Sequence, residues 1–279
     1  MKRFVGLMAL LIMVLTVTPA AADFYVIAGG GRLGTAITSV PVSITSPGLY
    51  YLTQNLTHSY TSAYAITVHA DDVTIDLNGF CITGPGKGSG INNSGIVVMN
   101  PRTNVEIRNG SIKAFGYGGI VSQNNCTAIR VVGVRVRDTG YIGIFLSGSG
   151  NLAMDCAVMN AGHDGIHVGM SSLVKGSQLV GNSGSGITVI SGSAVGNTAV
   201  GNSPGITAQV GSLVTDNTVS GNSWRGIYAY DYCTITRNTA YNNADTGIVT
   251  WTYCTITNNT TDGLMNGANC TLADNTVTP

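Results

Sequence analysis

The sequence carries very little charge, with 13 Lys and Arg and 13 Asp and Glu among its 279 residues. Glutamate occurs once, at Glu106, and histidine occurs four times. A nucleic-acid partner requires clustered Lys and Arg to neutralise its phosphates, so this composition argues against one. Acid–base catalysis requires titratable side chains that converge, and this chain offers few places where they do.

Helical periodicity and long apolar runs are also missing, except within residues 1–22. That segment begins with Lys2 and Arg3, continues as an apolar run over residues 5–17, and ends in small residues up to Ala22. This order is typical of a secretory signal peptide cleaved before Asp23, and the run is too short for a comfortable membrane span. We therefore expect a secreted protein, periplasmic or extracellular, with no membrane span after cleavage.

A Gly-Ile pair recurs along the rest of the chain, followed by one Gly-Leu variant. Successive glycines of this pair are 16 to 24 residues apart, at Gly95, Gly119, Gly143, Gly165, Gly186, Gly205, Gly226, Gly247 and Gly263. A repeat at a nearly fixed period indicates a solenoid, in which each unit buries its apolar face against its neighbours. Within a unit the apolar residues alternate with period two, which indicates strands.

A second strand is predicted about a dozen residues after each Gly-Ile strand. An Asn-Thr pair marks this part of the repeat, at Asn197, Asn217, Asn238, Asn259 and Asn275. Asparagine accepts turn conformations, and stacked Asn side chains can hydrogen-bond along the stack. We expect the glycine before Ile to mark another corner, where a Cβ would clash or φ must be positive.

Two or three short strands per turn predict an all-β fold: a single-stranded parallel β-helix solenoid of about nine or ten coils. A period of about 21 residues favours the right-handed form. Residues with equal offsets from the glycines should then be vertical neighbours about 4.8 Å apart. Residues 23–70 lack the repeat and are predicted to form an N-terminal cap and first strands, antiparallel or capping. Residues 71–279 are predicted to form the β-helix.

Two stretches carry a resemblance to a known family. Residues 47–53 read Pro-Gly-Leu-Tyr-Tyr-Leu-Thr, and residues 72–80 read Asp-Val-Thr-Ile-Asp-Leu-Asn-Gly-Phe. With the Gly-Ile repeats, they resemble secreted bacterial right-handed parallel β-helix proteins of the pectate-lyase-like superfamily, from about residue 45 to the end. That superfamily includes pectate lyases, polygalacturonases, mannuronan epimerases, phage tailspikes and periplasmic proteins tied to copper delivery. The resemblance implies the fold and a polysaccharide partner, but a fold alone does not assign a function.

The richest group of titratable residues is His163, Asp164 and His167, with Arg137 and Asp138 one coil earlier. The register is expected to place them on one face. A lyase or epimerase needs a base that removes the proton beside a uronate carboxylate, and a cation that stabilises the enolate. His163 or His167 would be the base and Arg137 the cation. Alternatively, these are ordinary polar residues of exposed corners.

The match of this group to the motifs of the resembled enzymes is incomplete. His163-Asp164 resembles the His-Asp end of the mannuronan epimerase signature, but the Asp-Pro before it is missing. The three-Asp set of polygalacturonases and an acidic calcium cluster of the pectate lyase type are missing as well.

Aromatic residues recur at offsets expected to point outward. Tyr141 should lie over His163 and Phe145 over His167, because each pair holds the same offset from its glycine. Further aromatics at such offsets are Trp224, Tyr228, Tyr230 and Trp251. Exposed aromatic rows on a flat sheet suit stacking on sugar rings, so these six residues are candidates for glycan binding. Alternatively, they are cross-strand pairs that stabilise the sheet.

Six cysteines in a secreted protein permit disulfides. Cys233, Cys254 and Cys270 share one column, each two residues before Ile or Leu, and Cys126 stands in the same way before Ala128. They are either buried free thiols that act as small apolar side chains, or partners in a disulfide between adjacent coils. No His shares the column, so we expect no metal site.

Three functions stay open. The few carboxylates and the short corners after Gly143 favour a non-catalytic glycan-binding, envelope or surface protein. The alternative is a polysaccharide lyase, epimerase or hydrolase that acts on uronate-containing glycans. A periplasmic metal-handling role rests on the resemblance alone. No cofactor is expected.

Overall fold

The computed structural model describes residues 34–278, and the predicted signal peptide lies outside the described residues. These residues form thirty-two β-strands and no helix. The strands before the first Gly-Ile pair are β1 (Thr35–Ile37), β2 (Val42–Ile44), β3 (Gly48–Leu52), β4 (Leu56–Thr57), β5 (Ile66–Val68), β6 (Val73–Asp76) and β7 (Cys81–Thr83).

The remaining strands follow the repeat. Those with the longest coils are β8 (Ser94–Val98), β9 (Thr103–Lys113), β10 (Gly118–Ser122), β11 (Thr127–Arg137), β12 (Ile142–Leu146), β13 (Leu152–Met154) and β14 (Ala157–Met159). The next are β15 (Ile166–Val168), β16 (Leu173–Lys175), β17 (Gln178–Val180), β18 (Ile187–Val189), β19 (Ser193–Val195), β20 (Thr198–Val200), β21 (Ile206–Ala208), β22 (Leu213–Thr215) and β23 (Thr218–Ser220). The last are β24 (Ile227–Ala229), β25 (Thr234–Thr236), β26 (Thr239–Tyr241), β27 (Ile248–Thr250), β28 (Thr255–Thr257), β29 (Thr260–Thr261), β30 (Leu264–Asn266), β31 (Thr271–Ala273) and β32 (Thr276–Val277).

The strands stack into three parallel ladders. Ladder 1 contains β1, β3, β6, β9, β11, β13, β16, β19, β22, β25, β28 and β31, and ladder 2 contains β4, β7, β9, β11, β14, β17, β20, β23, β26, β29 and β32. The long strands β9 and β11 run through both. Ladder 3 holds the Gly-Ile strands, in the order β2, β5, β8, β10, β12, β15, β18, β21, β24, β27 and β30. The prediction of a right-handed parallel β-helix of about ten coils is confirmed.

The isoleucines of the repeat form one column inside the solenoid. Ile144 pairs with Ile166, and Ile166 pairs with Ile187, in consecutive strands of ladder 3. All three side chains are fully buried. Equal offsets from the glycines therefore do mean vertical neighbours, as predicted.

The glycine before each isoleucine is required by close packing. A Cβ on Gly143 would lie 2.3 Å from Cγ1 of Val158 and 2.5 Å from the carbonyl oxygen of Gly165. The backbone of Gly143 is outside the left-handed region. Of the two reasons expected for this glycine, the clash is the one that applies.

The predicted asparagine stack is present at the corner between ladders 1 and 2. The Nδ2 group of each Asn donates to Oδ1 of the next, at 3.0 Å from Asn197 to Asn217 and 2.9 Å from Asn217 to Asn238. The left-handed backbone falls on the residue before each Asn, as at Asp216 and Arg237. The side chain thus bonds the stack while its neighbour makes the turn.

A second asparagine stack was not predicted. It joins Asn182 to Asn202 at 2.8 Å and Asn222 to Asn243 at 2.8 Å, at the corner between ladders 2 and 3. The sequence signal for it is the triplet Gly-Asn-Ser, which begins at residues 181, 201 and 221.

The strands before residue 70 join the same ladders. Thr35 pairs with Tyr50, and Tyr50 pairs with Ile75, in parallel register. The antiparallel strands considered for this segment are therefore parallel, because their apolar residues, such as Ile44 and Leu52, continue the buried interior. The division into a cap (23–70) and a solenoid (71–279) stays a prediction.

All six cysteines are free thiols in the structure. Cys233 and Cys254 are buried, and the backbone N–H of Cys254 lies 3.4 Å from Sγ of Cys270. Burial raises the pKa of the Cys254 thiol to about 11. Cys126 does not share this column, since the ladder 1 register places Ile129 there.

Candidate functional site

Asp164 lies in the corner between β14 and β15, and its carboxylate is almost completely buried. Oδ1 accepts a hydrogen bond from the backbone N–H of Ser185 at 2.9 Å and lies 3.1 Å from Nδ1 of His163. Oδ2 accepts from the hydroxyl of Thr188 at 2.9 Å and lies 3.2 Å from Nδ1 of His167. One buried carboxylate therefore orients the imidazole of His167 and lies beside that of His163.

The pKa of Asp164 results from opposing effects. Desolvation by burial acts to raise it, and this is the largest single effect. The hydrogen bond with His167, the charge of His163 and the hydrogen bond from Thr188 together outweigh burial, so the pKa lies below its usual value. An ionised carboxylate only accepts hydrogen bonds, so His167 must carry a proton on Nδ1. In the neutral ring, Nε2 is then free to accept a proton.

The repeat explains why these residues meet. Gly165 precedes β15, Ile166 starts it, and alternation then turns His167 outward on ladder 3, between Phe145 and Thr188. The rings of Phe145 and His167 meet edge to face, with centroids 5.1 Å apart. Thr188 was not predicted as a partner, although it has the same offset from its glycine as His167.

A row of stacked rings runs beside this group. The centroids of Tyr117 and Tyr141 are 5.3 Å apart, and those of Tyr141 and His163 are 4.7 Å apart, with both pairs near parallel. The register expected for Tyr141 over His163 and Phe145 over His167 is the one observed.

These side chains line a groove of about 320 Å³ on the outer surface of ladder 3. A larger cavity of about 490 Å³ lies beside it toward the N-terminal coils, and Tyr117 and Phe145 line both. His163, Asp164, His167 and Tyr141 face the smaller groove. The two cavities form one continuous surface across several coils, which we call the ladder 3 groove.

Arg137 and Asp138 are not part of the ladder 3 groove. Arg137 ends β11, and its Nη1 lies 2.7 Å from Oδ2 of Asp138. Asp138 also accepts a hydrogen bond from Asn160 at 2.6 Å. Arg137 pairs with Met159 in ladder 2, so a corner of the coil separates it from the imidazoles. Counting residues along the coils predicts that Arg137 and Asp138 share a face with the imidazoles. The structure differs because a corner of the coil lies between ladder 2 and ladder 3.

The other four predicted aromatics form a separate cluster on ladder 3. Tyr228 lies 5.4 Å from Trp224 and 5.1 Å from Tyr230, and Tyr230 lies 5.2 Å from Trp251, between ring centroids. Nε1 of Trp251 donates to the Tyr228 hydroxyl at 2.8 Å. The guanidinium of Arg225 lies over Trp224 and Tyr228, 4.2 and 4.5 Å from the ring centroids.

This cluster and the ladder 3 groove share one outward column of residues. His167, Thr188, Thr207 and Tyr228 are successive register partners. Three strand spacings, about 14 Å, therefore separate His167 from Tyr228. The predicted aromatic residues thus lie on one face, in two groups.

Within residues 34–278, no group of three or more His, Cys, Asp or Glu side chains is arranged to hold a metal ion. The described part of the chain also has no helix that is long and apolar enough to span a membrane.

A protein-family model described as the right-handed β-helix region matches residues 48–204. No match was found among curated proteins.

Several solved structures have a similar fold. The A-module of a mannuronan C-5 epimerase from Azotobacter vinelandii is 14% identical, with a TM-score of 0.59 over 83% of this chain and 87% of the other. An alginate lyase from a Paenibacillus species is 14% identical, with a TM-score of 0.55 over 84% of this chain and 93% of the other. The tailspike of an Escherichia coli bacteriophage, solved with a pentasaccharide, is 13% identical, with a TM-score of 0.61 over 87% and 55%.

Proposed function

This chain belongs to the right-handed β-helix family, because the family match covers more than half of its length, and we propose that its ladder 3 surface binds a polysaccharide. One observation carries the proposal. The rings of Tyr117, Tyr141 and His163 stack in a row that lines an open groove. The cluster around Tyr228 lies farther along the same face.

The dimensions and chemistry of this face suit an extended chain of sugars. Aromatic rings provide large apolar faces on which the C–H faces of sugar rings can stack, and Tyr also offers a hydroxyl at its edge. Trp224 and Trp251 remain 38% and 47% exposed, so part of each side chain is open to a ligand. A site that binds one extended molecule needs such contacts repeated along its length.

The fold comparisons add support of a general kind. The three similar structures are an enzyme named for mannuronan, an alginate lyase and a tailspike bound to a pentasaccharide. Their identities to this chain are 13 to 14%, so they support a glycan ligand only through the fold. For this chain we propose a non-catalytic binding or envelope-surface role. The side chains of the chain itself support this role.

The test is binding to a panel of polysaccharides by isothermal titration calorimetry and affinity electrophoresis. Tyr141→Ala removes the central ring of the stack, and we expect a polysaccharide that binds wild type to bind this variant about tenfold more weakly. Tyr253→Ala is the matched control, because Tyr253 stacks on Tyr232 at 5.1 Å but lines neither cavity. Equal losses in both variants, or no binding to any polymer, would refute the proposal.

A second candidate function is proton transfer on a bound uronate polymer, by a lyase or epimerase reaction. The arrangement of Asp164 favours it, since a buried carboxylate that orients His167 leaves Nε2 of the imidazole as a base in the groove. Arg137 lies outside the groove, so the predicted cation for the enolate would have to be another group. This difference is why we place binding first.

Assays on uronate polymers distinguish the two candidates. Unsaturated or epimerised product that wild type forms, and that His163→Ala and His167→Ala do not, would establish the enzyme. The exposed His69 provides the control variant His69→Ala, which should keep wild-type behaviour. Binding without turnover in every variant would leave the non-catalytic role.

We also propose that the protein acts outside the cytoplasm, in the periplasm or beyond the cell. The basic start, apolar core and small residues up to Ala22 support this location.

A further inference from the structure

The larger cavity of the ladder 3 groove has an unused hydrogen-bonding group in its wall. Ser94 begins β8 and is fully buried, and its hydroxyl has no hydrogen-bond partner among the described residues. Buried polar groups are almost always satisfied by protein, water or ligand. Ser94 therefore adds an unsatisfied polar group to the wall of this cavity, although almost none of the surface of its hydroxyl is open to the cavity itself.

Two side-chain amides beside Ser94 are also incompletely used. Oε1 of Gln123 accepts from the backbone N–H of Asn100 at 3.2 Å, and Oδ1 of Asn124 accepts from the hydroxyl of Ser147. Within residues 34–278, the amide nitrogens of Gln123 and Asn124 donate to no protein group. Both side chains line the cavity, so they are oriented by their oxygens and keep donors for a ligand.

Aromatic rings complete the cavity. Tyr117 and Phe145 form part of its wall on the side of the smaller groove. A sugar ring combines apolar C–H faces with hydroxyls around its edge. The aromatic rings of the cavity suit these apolar faces, and the side-chain amide donors suit the hydroxyls.

The charges of the surface indicate which kind of glycan fits. No Lys, Arg or Glu lines either cavity, and the larger cavity has no Asp or His either. In the smaller groove the ionised carboxylate of Asp164 is negative, and the imidazoles of His163 and His167 are positive only when protonated. Proteins that bind carboxylated or phosphorylated ligands present Arg or Lys to them. Arg225 is farther along the face and is engaged by Asp245 and two rings.

We propose that the ligand is an uncharged polysaccharide, and that one of its sugar rings sits in the cavity formed by Ser94, Tyr117, Gln123 and Asn124. This inference rests on the proposed glycan-binding function and specifies the class of glycan. It separates this chain from a uronate-binding protein, in which each sugar would bring a negative charge to cavities that no Lys or Arg lines.

The first experiment compares neutral polymers, such as xyloglucan, glucomannan and dextran, with alginate and polygalacturonate, at low and high salt. We expect wild type to bind a neutral polymer with an affinity that salt leaves unchanged, because no ion pair is screened. Preferential binding of a polyuronate that weakens with salt would overturn the inference and leave the binding surface intact. Failure to bind any polymer would refute the proposed function itself.

The second experiment uses variants with the neutral polymer that binds. Asn124→Ala removes an amide donor from the cavity wall, so affinity should fall about fivefold, while the melting temperature should change little because Asn124 is exposed. Gln123→Ala should weaken binding by a similar factor, and Gln178→Ala, on the exposed face of ladder 2, should not.

Thr139 provides a control that lies outside the two cavities. Its hydroxyl is also buried without a partner among the described residues, but Thr139 lines neither cavity. Thr139→Val should stabilise the fold without any change in affinity. Wild-type affinity in both Asn124→Ala and Gln123→Ala would show that the cavity holds no sugar and would overturn the proposal.

Discussion

Asp164 is the residue on which the geometry of the smaller groove depends. Its buried carboxylate accepts hydrogen bonds from Ser185, Thr188 and His167. A buried charge is costly unless it is paired and hydrogen-bonded, and here both oxygens are occupied. The carboxylate therefore stabilises the corner and also sets the orientation of the His167 imidazole.

Protonation of Asp164 should destabilise the protein in acid. Its pKa is lowered in the folded state, so the stability that it contributes is present above the unfolded value of about 3.9 and is lost as pH falls through the folded pKa. We expect Asp164→Asn to be about 2 kcal/mol less stable than wild type at neutral pH. We also expect its free energy of unfolding to fall less steeply below about pH 5.

Urea unfolding of both proteins as a function of pH checks this expectation. The exposed Asp274 supplies the control, since Asp274→Asn should keep the wild-type dependence on pH. If Asp164→Asn has the wild-type slope in acid, the carboxylate does not have the role assigned to it.

Among the structural elements, the two asparagine stacks hold the corners of successive coils together. Asn217 is buried, and its Oδ1 accepts from the backbone N–H and from Nδ2 of Asn197. Its Nδ2 donates to the carbonyl of Ala194 and to Asn238. Each member thus satisfies backbone groups that the turn leaves without a strand partner.

Removal of one member from the middle of the stack should be costly. Asn217→Ala leaves several buried groups without partners, and we expect a loss of about 3 kcal/mol in the free energy of unfolding. Asn275→Ala is the comparison, because Asn275 ends the stack and is only partly buried, so water can replace its side chain. Chemical denaturation should show a loss below about 1 kcal/mol for this variant. Similar losses at both positions would mean that the stack contributes little beyond its single side chains.

For the whole molecule, the stacking of coils makes one long surface from short repeats. Ladder 3 has eleven strands, so residues at one offset form a column that extends along the solenoid. The groove and the cluster around Tyr228 lie on this face, which suits a ligand that is itself a repeating chain. Such a surface is expected to meet its polymer outside the cytoplasm.

Secretion should leave a mature chain that begins at Asp23. Mass spectrometry of protein from the periplasm or the medium would identify this N-terminus. Ala22→Leu places a large residue at the cleavage site, and we expect the unprocessed chain to accumulate with the membrane fraction. Ala9→Leu, within the apolar run, should be processed normally. Recovery of the full-length chain in the cytoplasm would contradict the proposed location.

Most of the fold could be predicted from the sequence, since in a solenoid each unit contacts only its neighbours. The column of Ile144, Ile166 and Ile187 follows from counting residues between glycines. The pairing of Phe145 with His167 follows in the same way. The Gly-Asn-Ser triplet marks only Asn182, Asn202 and Asn222 of the second asparagine stack, and it is a weaker signal than the recurring Gly-Ile pair.

The sequence by itself determined the strands, their period and the order in which side chains alternate between interior and surface. Only the tertiary structure decided which surface residues share a face, because the path of the chain around each corner sets the direction of a side chain. Arg137 is one coil from His163 in sequence but lies on another ladder. Ser94 looks like an ordinary polar residue, and only the packing around it leaves its buried hydroxyl without a partner among the described residues. Position along the solenoid is a property of the repeat, whereas the composition of a groove depends on how the corners fold.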